Sequence, residues 1–315
     1  MAELTLIEKQ KRSARPKRPH SPLSDQSCYR LMLLPGVILL LIFAVVPMFG
    51  IVIAFQNYIP AKGISGSEWV GLDNFRTLLM LPDSLEVLRN TLVLAIAKMI
   101  LGTIVPILFA LMLNEVTQDR LKKFIQTSVY LPYFLSWVLL GSIFLSMLQL
   151  DGVVNYVIKL FGGDPVMFMA SNKWAPVIMV VTDVWKNFGY GSIIYLAALT
   201  GVDSNLYEAA ALDGASRVQQ VFHVTLPSIA PTIVLVSTLN LGNVLNAGFD
   251  QIFNMYNELI YESVDIIDTF VYRIGLVELN FSLSTAVGLF KSVVSFILIT
   301  LSYWLAKKWT GYRIF

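Results

Sequence analysis

Six long, nearly uncharged apolar runs restrict this chain more than any other feature; they lie at about 31–55, 90–113, 125–148, 175–200, 229–248 and 283–306. A helix needs about 20 mainly apolar residues to cross a hydrocarbon core of about 30 Å, and each run reaches that length. Pro35 and Pro47 in the first run are tolerable in a membrane helix, where neighbours can satisfy the freed carbonyls. That run is too long for a signal-peptide core and no small-residue cleavage pattern follows Phe55, so it is expected to stay in the mature protein. Composition agrees: 56% of residues are hydrophobic and 14% charged, whereas water-soluble domains run about 45–50% and about 25%. The expected fold class is an all-α integral membrane protein with six transmembrane helices, preceded by a polar, basic tail over residues 1–30.

Lysine and arginine set the orientation. Fourteen of them fall in the tail, in the connections after runs two and four, and after run six. The opposite connections hold five (Lys62, Arg76, Lys159, Lys173 and Arg273) among twelve acids. Both termini are therefore expected in the cytoplasm, which makes the number of spans even, in agreement with six. The tail itself, with Lys9, Lys11, Arg12, Arg15, Lys17, Arg18 and Arg30, reads as a disordered anchor on anionic headgroups.

Several chemistries are excluded. A net charge of +2 offers no basic face for nucleic acid. One cysteine, Cys28, and two histidines, His20 and His223, make neither a disulfide nor a metal set. No G-x-x-x-x-G-K-[ST] loop is present to cradle a nucleotide. Gly214-Ala215-Ser216 lies in a cytoplasmic connection, whereas an intramembrane serine protease needs its serine and histidine inside the bilayer. The chain is not expected to be an enzyme.

The connection 201–227, between runs four and five, reads as a short helix, a break and a second helical stretch. Asn205 followed by Glu208 is an N-terminal capping signature, and the Glu208 carboxylate suits the positive end of the helix dipole. Ala209, Ala210 and Ala211 favour helix and keep it slim. Gly214 can take the left-handed conformation that stops it, and Pro227 marks the approach to run five. Physically this is either a rod that another protein's groove accepts or a helix that merely caps the bundle.

Glu208-Ala209-Ala210, Asp213-Gly214-Ala215, Phe222, Leu226-Pro227 and Pro231 together resemble the EAA loop of permease subunits in binding-protein-dependent ABC importers. Trp69-Val70-Gly71-Leu72-Asp73-Asn74-Phe75, Leu113-Asn114-Glu115, Tyr130-Leu131-Pro132, Asp151-Gly152 with Asn155, and Leu196-Ala197-Ala198-Leu199 are similar to the carbohydrate-uptake branch. Everything after the tail takes part in the likeness, which is nearest to permeases for complex, uronate-containing oligosaccharides. The resemblance implies a multi-pass subunit of the cell (inner) membrane, paired with a second, non-identical permease, two ATPase subunits and an extracytoplasmic solute-binding protein. It implies no cofactor on this chain, since ATP and magnesium belong to the ATPases. Glu208, Ala209, Ala210, Asp213, Gly214 and Ala215 are then the surface that meets an ATPase.

Polar residues in hydrocarbon are costly and face protein or water. Asn240, Asn243 and Asn246 recur every three residues in run five, a row that stays broadly on one helix side. They read either as pore lining for sugar hydroxyls or as interhelical glue. Run four carries Asp183, Trp185, Lys186, Asn187 and Tyr190; Asp183 and Lys186, three apart, are expected to neutralise one another. Trp185 and Tyr190 either stack on sugar rings or simply pack, and Tyr133, Ser136 and Trp137 make a further candidate face. Lys98 and Lys291 also lie within runs; either one, if it faces the cavity, favours an anionic substrate, the alternatives being that Lys98 pairs with another helix and that Lys291, if shallow, snorkels. A self-sufficient secondary transporter of a polar solute is the alternative, although Asp183 is the one acid well inside a run. A structural subunit with no pathway of its own is a third reading.

Overall fold

The computed structural model describes residues 25–242 and 244–310. The basic residues up to Arg18, together with Asn243, lie outside the described residues, and so do the expectations attached to them. The chain divides into two compact units, Met1–Ile51 and Val52–Phe315. In the first, helix α1 (Asp25–Leu40) runs into a π-helical turn, Leu41–Val45, and then Val46–Met48. A proline lacks an N–H and its ring crowds the carbonyl four residues back, so the register widens before Pro47 and the Val46 N–H reaches Leu41 O.

Early in the second unit, after the 3-10 helix Phe49–Phe55, comes a two-residue ribbon, β1 (Gln56–Asn57) against β2 (Glu68–Trp69), followed by α2 (Asp73–Met80). The Trp69–Phe75 motif is a staple here. Phe55 stacks on Trp69 at 5.7 Å between ring centres, Gly71 turns with φ +61°, and Asn74 Nδ2 donates to the carbonyls of Ala54 and Gln56. Asn155 plays the same part in the Asp151–Asn155 motif: fully buried, it donates to Gln149 O and Val166 O and accepts from Val166 N. A side chain at Gly152 would overlap the Met147 carbonyl.

The body of the unit is helical. It comprises α3 (Pro82–Asn114), α4 (Asp119–Tyr130), α5 (Trp137–Leu148), α6 (Val153–Leu160), α7 (Ala175–Thr200), α8 (Ser204–Leu212), α9 (Leu226–Leu241), α10 (Phe249–Met255), α11 (Ile267–Tyr272) and α12 (Phe281–Thr310). Among the described residues, five stretches are long and apolar enough to cross a membrane by themselves: Gln26–Phe55, Pro82–Asn114, Trp137–Leu160, Arg217–Leu241 and Phe281–Leu301. The expected fourth span, α7, matches its run in bounds and is 26 residues long. It fails on apolarity because Asp183, Lys186 and Asn187 sit at its middle. It does not need a lipid-facing surface all round: α3, α9 and α10 pack on it, and Ala175, Met179 and Tyr195 are buried.

Two expected spans are corrected. The run 125–148 is not one helix: α4 ends at Tyr130, Leu131–Phe134 forms a 3-10 turn containing Pro132, and α5 restarts at Trp137 with the Ser136 hydroxyl accepting from Leu139 N. The run 229–248 is not one helix either. It ends at Leu241, residues 244–247 form no helix or strand, and Gly248, with φ +90°, opens α10. At the other end α9 begins earlier than expected, through Arg217–Gln220 and a π turn, Val221–Thr225, so Pro227 does not interrupt it. The spacing of that π turn before Pro227 repeats the one before Pro47, with the same proline cause.

Three apolar clusters hold the unit together. The central one joins α3 and α7 to residues 247–266, including Leu94, Met179, Val184, Ile252, Met255 and Ile266. A second joins α2, α3, α11 and α12, and a third joins α3, α7 and α9 near the α8 loop. Beside the central cluster, Asp265 is buried and accepts from Thr269 Oγ1 and Arg273 Nη2 at 2.6 Å each. Burial holds its carboxyl above the ordinary carboxylate range despite those two donors.

Gly189 fixes how α4 meets α7, since a Cβ there would overlap the Val129 carbonyl. Backbone cannot yield as a side-chain tip does, so a Gly189→Ala variant must part the helices. Overpacking of this kind costs about 1–3 kcal/mol. A lowered melting temperature in detergent is expected, and an unchanged one would contradict the close approach.

Candidate functional site

The site grows from the break between α9 and α10. An unwound backbone at membrane depth is tolerable where protein buries it or where it lines a cavity, and both apply. Lys98, on α3 and 8% exposed, reaches across to the break. Its ammonium donates to Ala247 O at 2.6 Å and to Gln251 Oε1, and lies 3.9 Å from Asp183 Oδ1. Gln251 is fully buried and completes the node by donating to Met179 O and Thr182 Oγ1, 2.7 Å each. One lysine thus ties α3, α7 and the start of α10 together.

Three open cavities follow the break and share walls. One of about 600 Å³ is lined by Tyr133, Asn187, Tyr190 and Asn240. The next, about 210 Å³, has Lys98, Asp183, Asn240 and Asn246 in its wall. The largest, about 770 Å³, takes Asn246 again with Phe249, Asp268, Tyr272, Ser284 and Lys291. Asn240 is common to the first pair and Asn246 to the second, so the asparagines mark a file of polar spaces.

That outcome differs from the expected helical row. Asn240 is in the last turn of α9 and Asn246 in the irregular crossing, so the period of three does not place them on one helix face. The two still meet at one cavity. Tyr133 and Tyr190 also come together, their rings stacked 3.9 Å apart and 5° from parallel. The expected Asp183–Lys186 pair does not form. Asp183 is turned to Lys98 instead, while the Lys186 ammonium lies 4.9 Å from the centre of the Trp137 ring, a cation–π contact. Trp185 meets Phe144 edge-on. Trp137, Trp185 and Lys186 do not line any of the three cavities. Lys98 and Lys291 both do, but each is held by an aspartate, Lys291 by Asp268. Asp268, Tyr272 and Phe249 were missed in the sequence: they fall in a connection read as external, with no apolar run to flag them.

The connection 201–227 forms the second candidate surface. The cap of α8 is Asp203, whose Oδ1 accepts from Asn205 N at 2.9 Å, not Asn205 with Glu208. The stop is as expected. Gly214 has φ +80°, its N–H bonds Ala211 O, and Ala215 N–H bonds Ala210 O, the paired bonds of a Schellman motif. Ser216 and Gln219 then form a capping box that starts the next helix. No residue of α8 is buried: Glu208, Ala209, Asp213 and Gly214 are exposed, Ala210 and Ala215 half-buried. Leu206, Leu212, Val218 and Phe222 are exposed apolar side chains on the same loop, Leu212 by 89%. Tyr207 hydroxyl to Thr225 Oγ1 at 3.0 Å ties α8 to the π turn before α9, and Arg217 to Glu115 at 2.8 Å ties the connection to the end of α3.

The family model for the binding-protein-dependent transport system inner membrane component matches residues 102–311. The polygalacturonan/rhamnogalacturonan transport system permease protein YteP of Bacillus subtilis (strain 168) is 44% identical over 307 residues, 97% of this chain and 94% of its own. Protein LplB of the same strain is 43% identical over 286 residues, 90% of each chain. A solved bacterial ABC transporter involved in the import of the acidic polysaccharide alginate superposes with a TM-score of 0.83 at 35% identity, covering 97% of this chain and 99% of that one. A bacterial alginate ABC transporter in complex with an alginate pentasaccharide-bound periplasmic protein gives 0.82 at 36%, covering 89% and 94%. The chain is an all-α, multi-pass membrane protein and belongs to the family of binding-protein-dependent transport system inner membrane components.

Proposed function

We propose that this chain is one of two permease subunits of an ABC importer, forms half of the path for a uronate-containing oligosaccharide, and is driven through α8 by cytoplasmic ATPases. The observation that carries the coupling part is the build of α8. It is capped at Asp203, stopped at Gly214 by a Schellman motif, and presents no buried residue and several exposed apolar ones. A surface helix serving only its own bundle buries an apolar stripe against it; this one keeps Leu206 and Leu212 free for another protein. Glu208, Ala209, Ala210, Asp213, Gly214 and Ala215 are the proposed docking surface, with both termini on the same, cytoplasmic side.

The substrate part is supported by the relatives: YteP is described for polygalacturonan and rhamnogalacturonan, and the solved neighbours for alginate. The file of cavities past Tyr190, Asn240 and Asn246 offers the aromatic faces and amide groups such a ligand uses. A broken helix at membrane depth is also a mark of secondary transporters, whose freed carbonyls hold a coupling ion. Here the Ala247 carbonyl is taken by the Lys98 ammonium, so the site an ion would use is filled by the chain itself.

The test is reconstitution. This chain with a partner permease, two ATPases and the binding protein should accumulate labelled oligogalacturonide in vesicles only when ATP is present. Uptake against a gradient by the chain alone would defeat the assignment.

A further inference from the structure

The two lysines in the cavity walls are not alike. Lys98 has three acceptors around it and is 8% exposed, which locks it in place. The side chain of Lys291, 22% exposed on α12, meets one acceptor among the described residues, the Asp268 carboxylate of α11, itself 26% exposed. Both ends of that second pair line the largest cavity, beside the rings of Phe249 and Tyr272 and the side chains of Asn246 and Ser284.

We propose that Lys291 is the carboxylate anchor of the path, and that Asp268 is a resident counter-ion which releases the ammonium to an incoming uronate. The proposal rests on the uronate reading above. At the lysine the exchange is one carboxylate for another, so the charge-assisted bond is reproduced. The displaced Asp268 turns to water in the open cavity. A neutral sugar brings only hydroxyls, which accept from the ammonium but carry no charge to neutralise it, and does not displace Asp268. Selectivity for the acid follows from that difference. The competitor also limits affinity, which suits a site that must be left as readily as it is entered. Phe249 and Tyr272, packed on each other and on Phe253, add an aromatic wall to the cavity beside the lysine.

The complete importer in vesicles, supplied with labelled trigalacturonate, tests this with four forms of the chain. Lys291→Gln should cut uptake at least about tenfold, while Lys291→Arg keeps it within about threefold. Asp268→Asn, which removes the competitor, should lower KM about tenfold and lower kcat with it. The double variant should behave like Lys291→Gln. If the pair is only a structural tie, Lys291→Gln and Asp268→Asn fall equally and the double variant, having no orphan charge, recovers; that pattern overturns the proposal. An unchanged KM in an Asp268→Asn importer that assembles normally overturns it as well, even if Lys291→Gln fails to assemble. Wild-type importer that carries no trigalacturonate overturns the uronate reading and this proposal together, whereas normal acid uptake by Lys291→Gln removes the anchor and leaves the uronate reading standing.

Discussion

A Gly214→Trp importer is expected to lose uptake altogether while the chain still inserts in the membrane. Two physical effects act at this position and can be separated. The first is backbone strain: Gly214 sits at φ +80°, where a residue with a Cβ costs about 1–2 kcal/mol. The Ala210 and Ala211 carbonyls lose their Schellman partners if the turn relaxes. The second is bulk. Among the described residues, nothing beyond its chain neighbours lies within 4 Å of a Cβ at Gly214, so bulk added there starts in open space, on the side proposed for the ATPase. Gly214→Ala carries the strain alone and should leave a reduced but measurable rate; Gly214→Asn should be milder, because asparagine tolerates the left-handed region. Adding bulk at Ala210 should match the tryptophan effect without any φ penalty. Counting ATPase subunits that co-purify with each variant separates lost docking from lost folding. Wild-type uptake in Gly214→Trp would remove α8 from the coupling surface.

The legible and illegible parts of this molecule divide along a physical line. Properties set by local sequence were read correctly: the membrane class from the apolar runs, the bounds of α7, and the stop at Gly214, since one residue decides a left-handed turn. The α8 cap was misread, because Asp203 and Asn205 are both good caps and only the turn geometry chooses between them. Helix breaks inside apolar runs were illegible in a different way. Pro132 ends α4, yet Pro35, Pro106 and Pro231 lie inside continuous helices, and Pro227 is absorbed by a π turn. What a proline does depends on whether neighbours satisfy the carbonyl it frees, which is tertiary information. The same holds for ion pairs. Spacing alone offered Asp183 to Lys186 one turn away, but Lys98 on another helix claims the carboxylate and Trp137 takes Lys186.

Lys98→Met is expected to be among the most damaging single changes in the body of the protein. Methionine matches the length of the stem but leaves Ala247 O and Gln251 Oε1 without their donor and Asp183 without its counter-ion. Removing one partner of a buried charge pair costs about 3–5 kcal/mol, enough to melt the crossing between α9 and α10 in a marginally stable protein. Arginine is no remedy. The lysine Nζ lies only 3.0 Å from where a Cβ on Gly248 would sit, and a forked guanidinium needs more room than a point ammonium. The charge term is separable from the hydrogen-bond term: Lys98→Met with Asp183→Asn removes the orphan carboxylate and should regain part of the loss in melting temperature. Function discriminates further. If the ammonium stands in for the cation that a self-sufficient transporter would bind at such a break, wild-type uptake is indifferent to sodium and proton gradients and follows ATP alone. Uptake that collapses with the sodium gradient would mean that an ion shares the break with Lys98, and that the chain has a motor of its own.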